Sequence, residues 1–231
     1  MKDGSMMVPC PQRPCDHRNM ITLHYYPGNA SFTPHVLLHE IGAPFELQLV
    51  DRPQGAHKSP AYLALNPNGL IPVLVDGDLV LYETAAICLH LCDTHPAAGL
   101  APALGSAERA HFYKWLAWLT NTLQAALVIY FYPERWADEP SAIAQVKAHA
   151  EAKIGVMLDQ LDAELAVRGP WLLGADFSAL DLYALVLCRW TRGFSRPARS
   201  LPHLGPYLQR LLARPAVQRA LTTEGIVAPL V

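Results

Sequence analysis

The sequence predicts an α/β domain followed by an all-α domain. Three observations carry this. Four short apolar runs before Glu83 have strand character, and they are joined by two helix-like stretches and one tight Asp76-Gly77-Asp78 turn. A proline-rich stretch, THPAAGLAPALG, then breaks the pattern. Every periodic segment after it has helical spacing.

The elements follow in order. Residues 21–26 alternate branched and aromatic side chains and end at Pro27-Gly28, a strand running into a turn. Residues 32–41 place Val36, Leu37, Leu38 and Ile41 on a helix, with Pro34 tolerated in the first turn and Gly42 as the stop. Phe45, Leu47 and Leu49 alternate along a second, half-buried strand. Ser59-Pro60 opens a short helix to Leu65. Residues 71–75 and 79–82 are the third and fourth strands, and the Asp-Gly-Asp turn makes them a hairpin. Residues 84–92 are helical. Strands joined by a helix run parallel and strands joined by a tight turn run antiparallel. The result is a mixed four-stranded sheet covered by helices. In the second half, helices are predicted over 108–130, 143–165, 180–190, 203–214 and 215–221, and the third of these is apolar nearly all round, hence buried. The division is 1–19 as a disordered extension or cloning scar, 20–95 as the α/β domain, 96–105 as linker and 106–231 as the helical domain.

Composition narrows the function. At 231 residues with 18 Lys and Arg against 20 Asp and Glu, the chain lacks the basic excess of a nucleic-acid binder. No apolar run approaches the roughly 18 residues of a membrane span. The five cysteines (10, 15, 88, 92 and 188) form no disulfide framework, and Cys88 and Cys92, four apart on an apolar stretch, have no partners at metal-site spacing. A soluble, cytoplasmic protein handling small molecules without a metal is the expectation.

Four segments could carry chemistry. In Asn66-Pro67-Asn68-Gly69-Leu70-Ile71-Pro72-Val73-Leu74, Pro72 sits where a strand begins. It is either a trans proline at an edge or a cis proline that exposes the Ile71 N–H and C=O to an extended, peptide-like ligand. In Tyr82-Glu83-Thr84-Ala85-Ala86-Ile87, Thr84 is placed as a helix N-cap. The free N–H groups there suit a carboxylate and Glu83 suits an ammonium, although ordinary capping explains the same residues. The turn Tyr25-Tyr26-Pro27-Gly28-Asn29-Ala30-Ser31 leads into a helix and could stabilise a thiolate, or Ser31 and Thr33 could simply cap. Ser178-Ala179-Leu180-Asp181 is a capping box with a structural role.

Taken in order, these motifs resemble the cytosolic glutathione transferase family over residues 20–221, most nearly its bacterial, beta-like branch. The resemblance implies a thioredoxin-like first domain that binds glutathione as co-substrate, and a homodimer. It implies a cis Pro72, with Ile71 pairing to the cysteinyl part of glutathione, Glu83 and Thr84 at the γ-glutamyl end, and His57 or Lys58 at the glycyl carboxylate. Trp118, Asn121, Thr122, Gln124 and Ala125 would wall the pocket of a hydrophobic electrophile. The activity implied is attack by the glutathione thiolate on that electrophile or on a peroxide; the alternative is a glutathione-binding regulatory protein with little turnover. The branch's active-site cysteine falls at Ala30, so the reactive sulfur would belong to glutathione. Ser31 is then the first choice of thiolate donor, with Tyr25, Tyr26 and Asn29 behind it.

Overall fold

The computed structural model describes residues 20–231, so the expectations for 1–19, including Cys10 and Cys15, lie outside the described residues. The first half runs β1 (Ile21–Tyr25), α1 (Phe32–Ile41), β2 (Phe45–Leu49), α2 (Pro60–Leu65), β3 (Val73–Asp76), β4 (Leu79–Tyr82) and α3 (Thr84–Thr94). The sheet order is β2-β1-β3-β4. β1 and β2, joined by α1, are parallel, and β3 and β4, joined by the tight turn, are antiparallel, as those two connections require. β3 is also antiparallel to β1, and so to β2, although α2 joins β2 to β3. The expectation that helix-joined strands run parallel fails there, because β3 crosses to the far side of β1 rather than returning beside β2.

Local sequence explains the boundaries. Gly42 closes α1 in the left-handed region, at φ 73°, and its N–H donates to Leu38 O. Ser59 caps α2, accepting from the Tyr62 N–H. α1 has no such cap bond from Ser31. Its stability comes from packing instead: Phe32, Val36, Leu37 and Leu38 are buried, and each such side chain contributes about 1.5–3 kcal/mol, more than one cap.

The second half comprises α4 (Ala107–Trp118), α5 (Ala125–Phe131), α6 (Pro140–Arg168), α7 (Ala179–Trp190), α8 (Leu204–Leu212) and α9 (Pro215–Thr223). α7 is buried from Ala179 to Arg189. Asp181 anchors it, accepting from the N–H groups of Leu172 and Ser178 and from the Tyr207 hydroxyl at 2.8–3.0 Å. α1 packs on both α7 and α9, and one apolar core runs from Leu23 and Leu37 through Phe112 to Leu182.

Two further expectations need correction. The third strand begins at Val73, not Ile71, because Pro72 has no N–H to give the ladder. The helix expected over 108–130 is interrupted by a π-helical segment, Leu119–Gln124. There the Thr120 hydroxyl donates to the carbonyls of Leu116 and Ala117, competing with the main-chain bonds.

Candidate active site

The loop after α2 is built to present Ile71. Asn66 Nδ2 and the Tyr62 hydroxyl both donate to Leu70 O at 2.8 Å, and Asn66 Oδ1 accepts from the Asn68 N–H. Gly69, at φ 62°, approaches the His57 carbonyl so closely that a Cβ would lie 3.0 Å from it, so only glycine fits without displacement. The loop ends in a cis Ile71-Pro72 peptide. The Ile71 N–H and C=O take no main-chain partner among the described residues.

Register places this free peptide group opposite the start of α3. Val73 pairs with Tyr82 across the hairpin, which brings Ile71-Pro72 beside Glu83-Thr84. The N-cap is Glu83 rather than Thr84, correcting the sequence expectation: Thr84 is the first helical residue and is buried. Glu83 has φ 74° and is the only non-glycine at positive φ among the described residues. Its side chain makes no cap bond, so the first N–H groups of α3 carry the helix's positive end unneutralised.

The turn after β1 completes the cleft, because His24 pairs with Val73 and the chain beyond Tyr25 passes Pro72 and Ile71. Ser31 does not project into it. Its side chain is fully buried, its Oγ donates to Tyr26 O at 3.1 Å and accepts from the Tyr26 N–H at 3.2 Å. The hydroxyl's one proton is therefore committed to stitching the turn. Asn29 is half-buried, and its Oδ1 accepts from the Ala30 N–H, which leaves the Nδ2 donors unengaged among the described residues. Tyr25 packs toward α1, against His35, and burial together with Glu224 raises its pKa. Tyr26 packs on the other cluster, with Val50, Tyr62, Ile71 and Val73.

A cavity of about 320 Å³ opens between α3 and the π-helical segment, lined by Glu83, Thr84, Ala85, Thr120, Asn121, Gln124, Ala125, Val128 and Tyr183. Asn121, Gln124 and Ala125 thus meet it as expected. Trp118 and Thr122 do not line it: Trp118 stacks edge-on against Trp115, and both lie off the face that carries Thr120, Asn121, Gln124 and Val128. His57 and Lys58 occupy a single 3-10 turn, half-buried and exposed respectively. Burial, with Arg52 and Lys58 adding to it, lowers the His57 pKa.

No described cysteine can serve as nucleophile. Cys88, Cys92 and Cys188 are free and buried, and burial pushes Cys92 and Cys188 up to about 12. Among the described residues no group of three or more His, Cys, Asp or Glu could hold a metal, and no helix is long and apolar enough to cross a membrane.

Family models for the glutathione S-transferase N-terminal and C-terminal domains match residues 30–94 and 119–215. The chain belongs to the glutathione S-transferase family. It is 33% identical over 204 residues to glutathione S-transferase GST-4.5 of Xanthomonas campestris, covering 88% of this chain and 98% of that one. Among solved structures it resembles the glutathione S-transferase from Xylella fastidiosa (34% identity, TM-score 0.82, 90% of this chain and 100% of the other). It also resembles a sphingomonad glutathione S-transferase complexed with glutathione (35% identity, TM-score 0.78, 89% and 100%).

In this glutathione S-transferase the turn after β1 is held from the far end of the chain, which the sequence did not disclose. Glu224, just beyond α9, accepts from the Gly28 N–H at 2.8 Å and bonds His35 Nδ1 at 2.7 Å, both side chains being fully buried. Trp190 Nε1 donates to Gly28 O at 3.1 Å. Tyr183 was also missed; its hydroxyl donates to Gln124 Oε1 at 2.6 Å and so fixes one wall of the cavity. A lone Glu after a terminal helix, and a Tyr inside an apolar one, carry no local signal of such partners.

Proposed function

We propose that this glutathione transferase binds glutathione along the cleft from the Ile71 peptide to the start of α3. The observation that carries this is the free Ile71 N–H and C=O facing the uncapped N-terminus of α3. The cysteinyl peptide group pairs with Ile71 as an added strand would. The γ-glutamyl carboxylate meets the first N–H groups of α3 and the Thr84 hydroxyl, and its ammonium meets Glu83. Lys58 and His57 receive the glycyl carboxylate.

The thiolate donor in this reading is Asn29 rather than Ser31, because the Ser31 proton is spent on Tyr26. Asn29 Nδ2, with the N-terminal end of α1 behind it, stabilises the sulfur anion, which then attacks an electrophile or peroxide. The cavity beside Glu83 takes the co-substrate. Ala125 and Val128 suit its apolar part, while the amide N–H groups of Asn121 and Gln124 can donate to a polar substituent such as a nitro group. A homodimer is supported by the exposed Leu79 and Val80 on the edge strand and by exposed Phe131 and Trp136.

The test is conjugation of glutathione to a chlorodinitrobenzene, read beside the thiolate absorbance of bound glutathione against pH. Asn29→Ala is expected to lower kcat/KM about 10- to 100-fold and to raise the pKa of the bound thiol. A wild-type thiol pKa in Asn29→Ala would overturn the donor assignment. Glutathione that failed to bind the wild-type protein at all would overturn the cleft.

A further inference from the structure

A second cavity, of about 410 Å³, lies behind the Gly28 turn and shares no wall with the first. It is lined by Pro27, Gly28, Arg189, Arg192, Glu224 and residues 225–229. Arg189 stands out within it. The residue is 7% exposed, its Nε is buried without an acceptor, and its guanidinium makes no hydrogen bond or ion pair to a described residue. The two Nη atoms are not among the buried unpartnered atoms, so the end of the guanidinium opens to the cavity while its Nε–H is buried without an acceptor, and a buried polar group left unpaired is costly.

The neighbouring groups do not relieve it. Glu224 is the one carboxylate on the cavity wall, and its two oxygens are engaged by Gly28 and His35. Arg192 is a further cation, three residues on, with one guanidinium nitrogen donating to Arg189 O. Arg199 in turn donates to Arg192 O. Basic residues at a helix C-terminus ordinarily complement its dipole, which accounts for Arg192. It does not account for Arg189, whose Nε is buried with no carbonyl to bond. Burial and the Arg192 charge both lower the Arg189 pKa, with only Glu224 opposing them.

We propose that this cavity is a binding site for a small oxyanion, carboxylate or phosphate, organised around Arg189 and Arg192. A guanidinium fork pairs either anion through two parallel hydrogen bonds, and the ligand would complete the partners that Arg189 lacks. The site shares no lining residue with the first cavity, although Pro27 and Gly28 belong to the turn that also closes the proposed glutathione cleft; titration without glutathione tests it apart from that reading.

The test uses the whole protein without glutathione, at fixed ionic strength. Inorganic phosphate and acetate are titrated separately, with calorimetry and the thermal midpoint as readouts. Saturable binding of at least one anion in the millimolar range is expected, with a rising midpoint, and the stronger of the two arms identifies the anion. Arg189→Met should weaken that binding at least about tenfold. Without anion its midpoint should not fall, since the substitution removes the buried, unpaired Nε–H and keeps the apolar stem. Arg192→Ser, at an exposed position, gives a reading that does not depend on the first variant folding, and a severalfold loss is expected there. No saturable response to either anion, an affinity unchanged in Arg192→Ser, or an anion-free midpoint lowered in Arg189→Met would each overturn the proposal.

Discussion

Replacing Glu224 tests whether the active-site turn is held by the C-terminal end of the chain. The carboxylate is fully buried and makes two short bonds, 2.8 Å to the Gly28 N–H and 2.7 Å to His35 Nδ1. Bonds to a charged group contribute about 1.5–3 kcal/mol each. In Glu224→Ala the fully buried His35 loses its partner, with His35 Nε2 already having none, and the half-buried Gly28 N–H loses its acceptor. The expected cost is about 3–5 kcal/mol. With a urea slope of about 3 kcal/mol/M for a chain of this size, the unfolding midpoint should drop by roughly 1–1.5 M. Glu224→Gln keeps the shape and one acceptor, so it should lose about 1–2 kcal/mol. Because Gly28 is two residues from Ala30, loosening it should also lower kcat/KM for glutathione conjugation about tenfold, even where the variant is fully folded. A Glu224→Ala protein that unfolds at the wild-type midpoint would refute the clamp. So would one that is destabilised yet keeps full activity when folded, since the turn would then not depend on it.

Two further outcomes follow from the same geometry. Burial, the neighbouring His35 and Arg219 lower His39 to about 4 from 6.5. The unfolded chain therefore takes up the proton first. Stability from this group is complete above about pH 6.5 and is lost as pH falls toward 4. Urea midpoints of the wild type should decline over that window more steeply than those of His39→Asn, and parallel profiles would contradict the assignment. Glu83→Gly removes a backbone conformation that costs a non-glycine residue about 1–3 kcal/mol, offset in part by glycine's unfolded-state entropy. The variant should be at least as stable as wild type in urea, while KM for glutathione rises about tenfold or more from loss of the carboxylate. A destabilised variant with an unchanged KM would show that Glu83 serves the fold instead.

What was legible in the sequence and what was not divide along one physical line. Gly42, Ser59, the Asn66–Gly69 loop and the Asp-Gly-Asp hairpin act through bonds that span a few residues, so their residue types announce them. The same holds for the β1–β2 and β3–β4 pairings, but not for β1–β3, which no single connection fixes and which the crossing through α2 makes antiparallel. Ser31 shows where that stops. Its position at a helix start suits a capping or catalytic hydroxyl equally well, and only the tertiary course of Tyr26 decides that the proton goes elsewhere. Threonine's preference for the N-cap points to Thr84, yet Glu83 holds that position in a conformation its own propensity opposes. Local preference was overruled there, at the start of α3 one residue beyond the Val73–Tyr82 pair. Glu224, Trp190 and Tyr183 reach the cleft across separations of 196, 162 and 59 residues. Pattern along the chain carries no record of such pairs. The presentation of the Ile71 peptide is thus encoded locally, whereas the hold on the turn after β1 comes from the end of α7 and the residue just beyond α9. That separation explains why the motifs point to the Ile71 loop and the start of α3, yet leave the Ser31 hydroxyl and the Asn29 amide undistinguished until the course of Tyr26 is known.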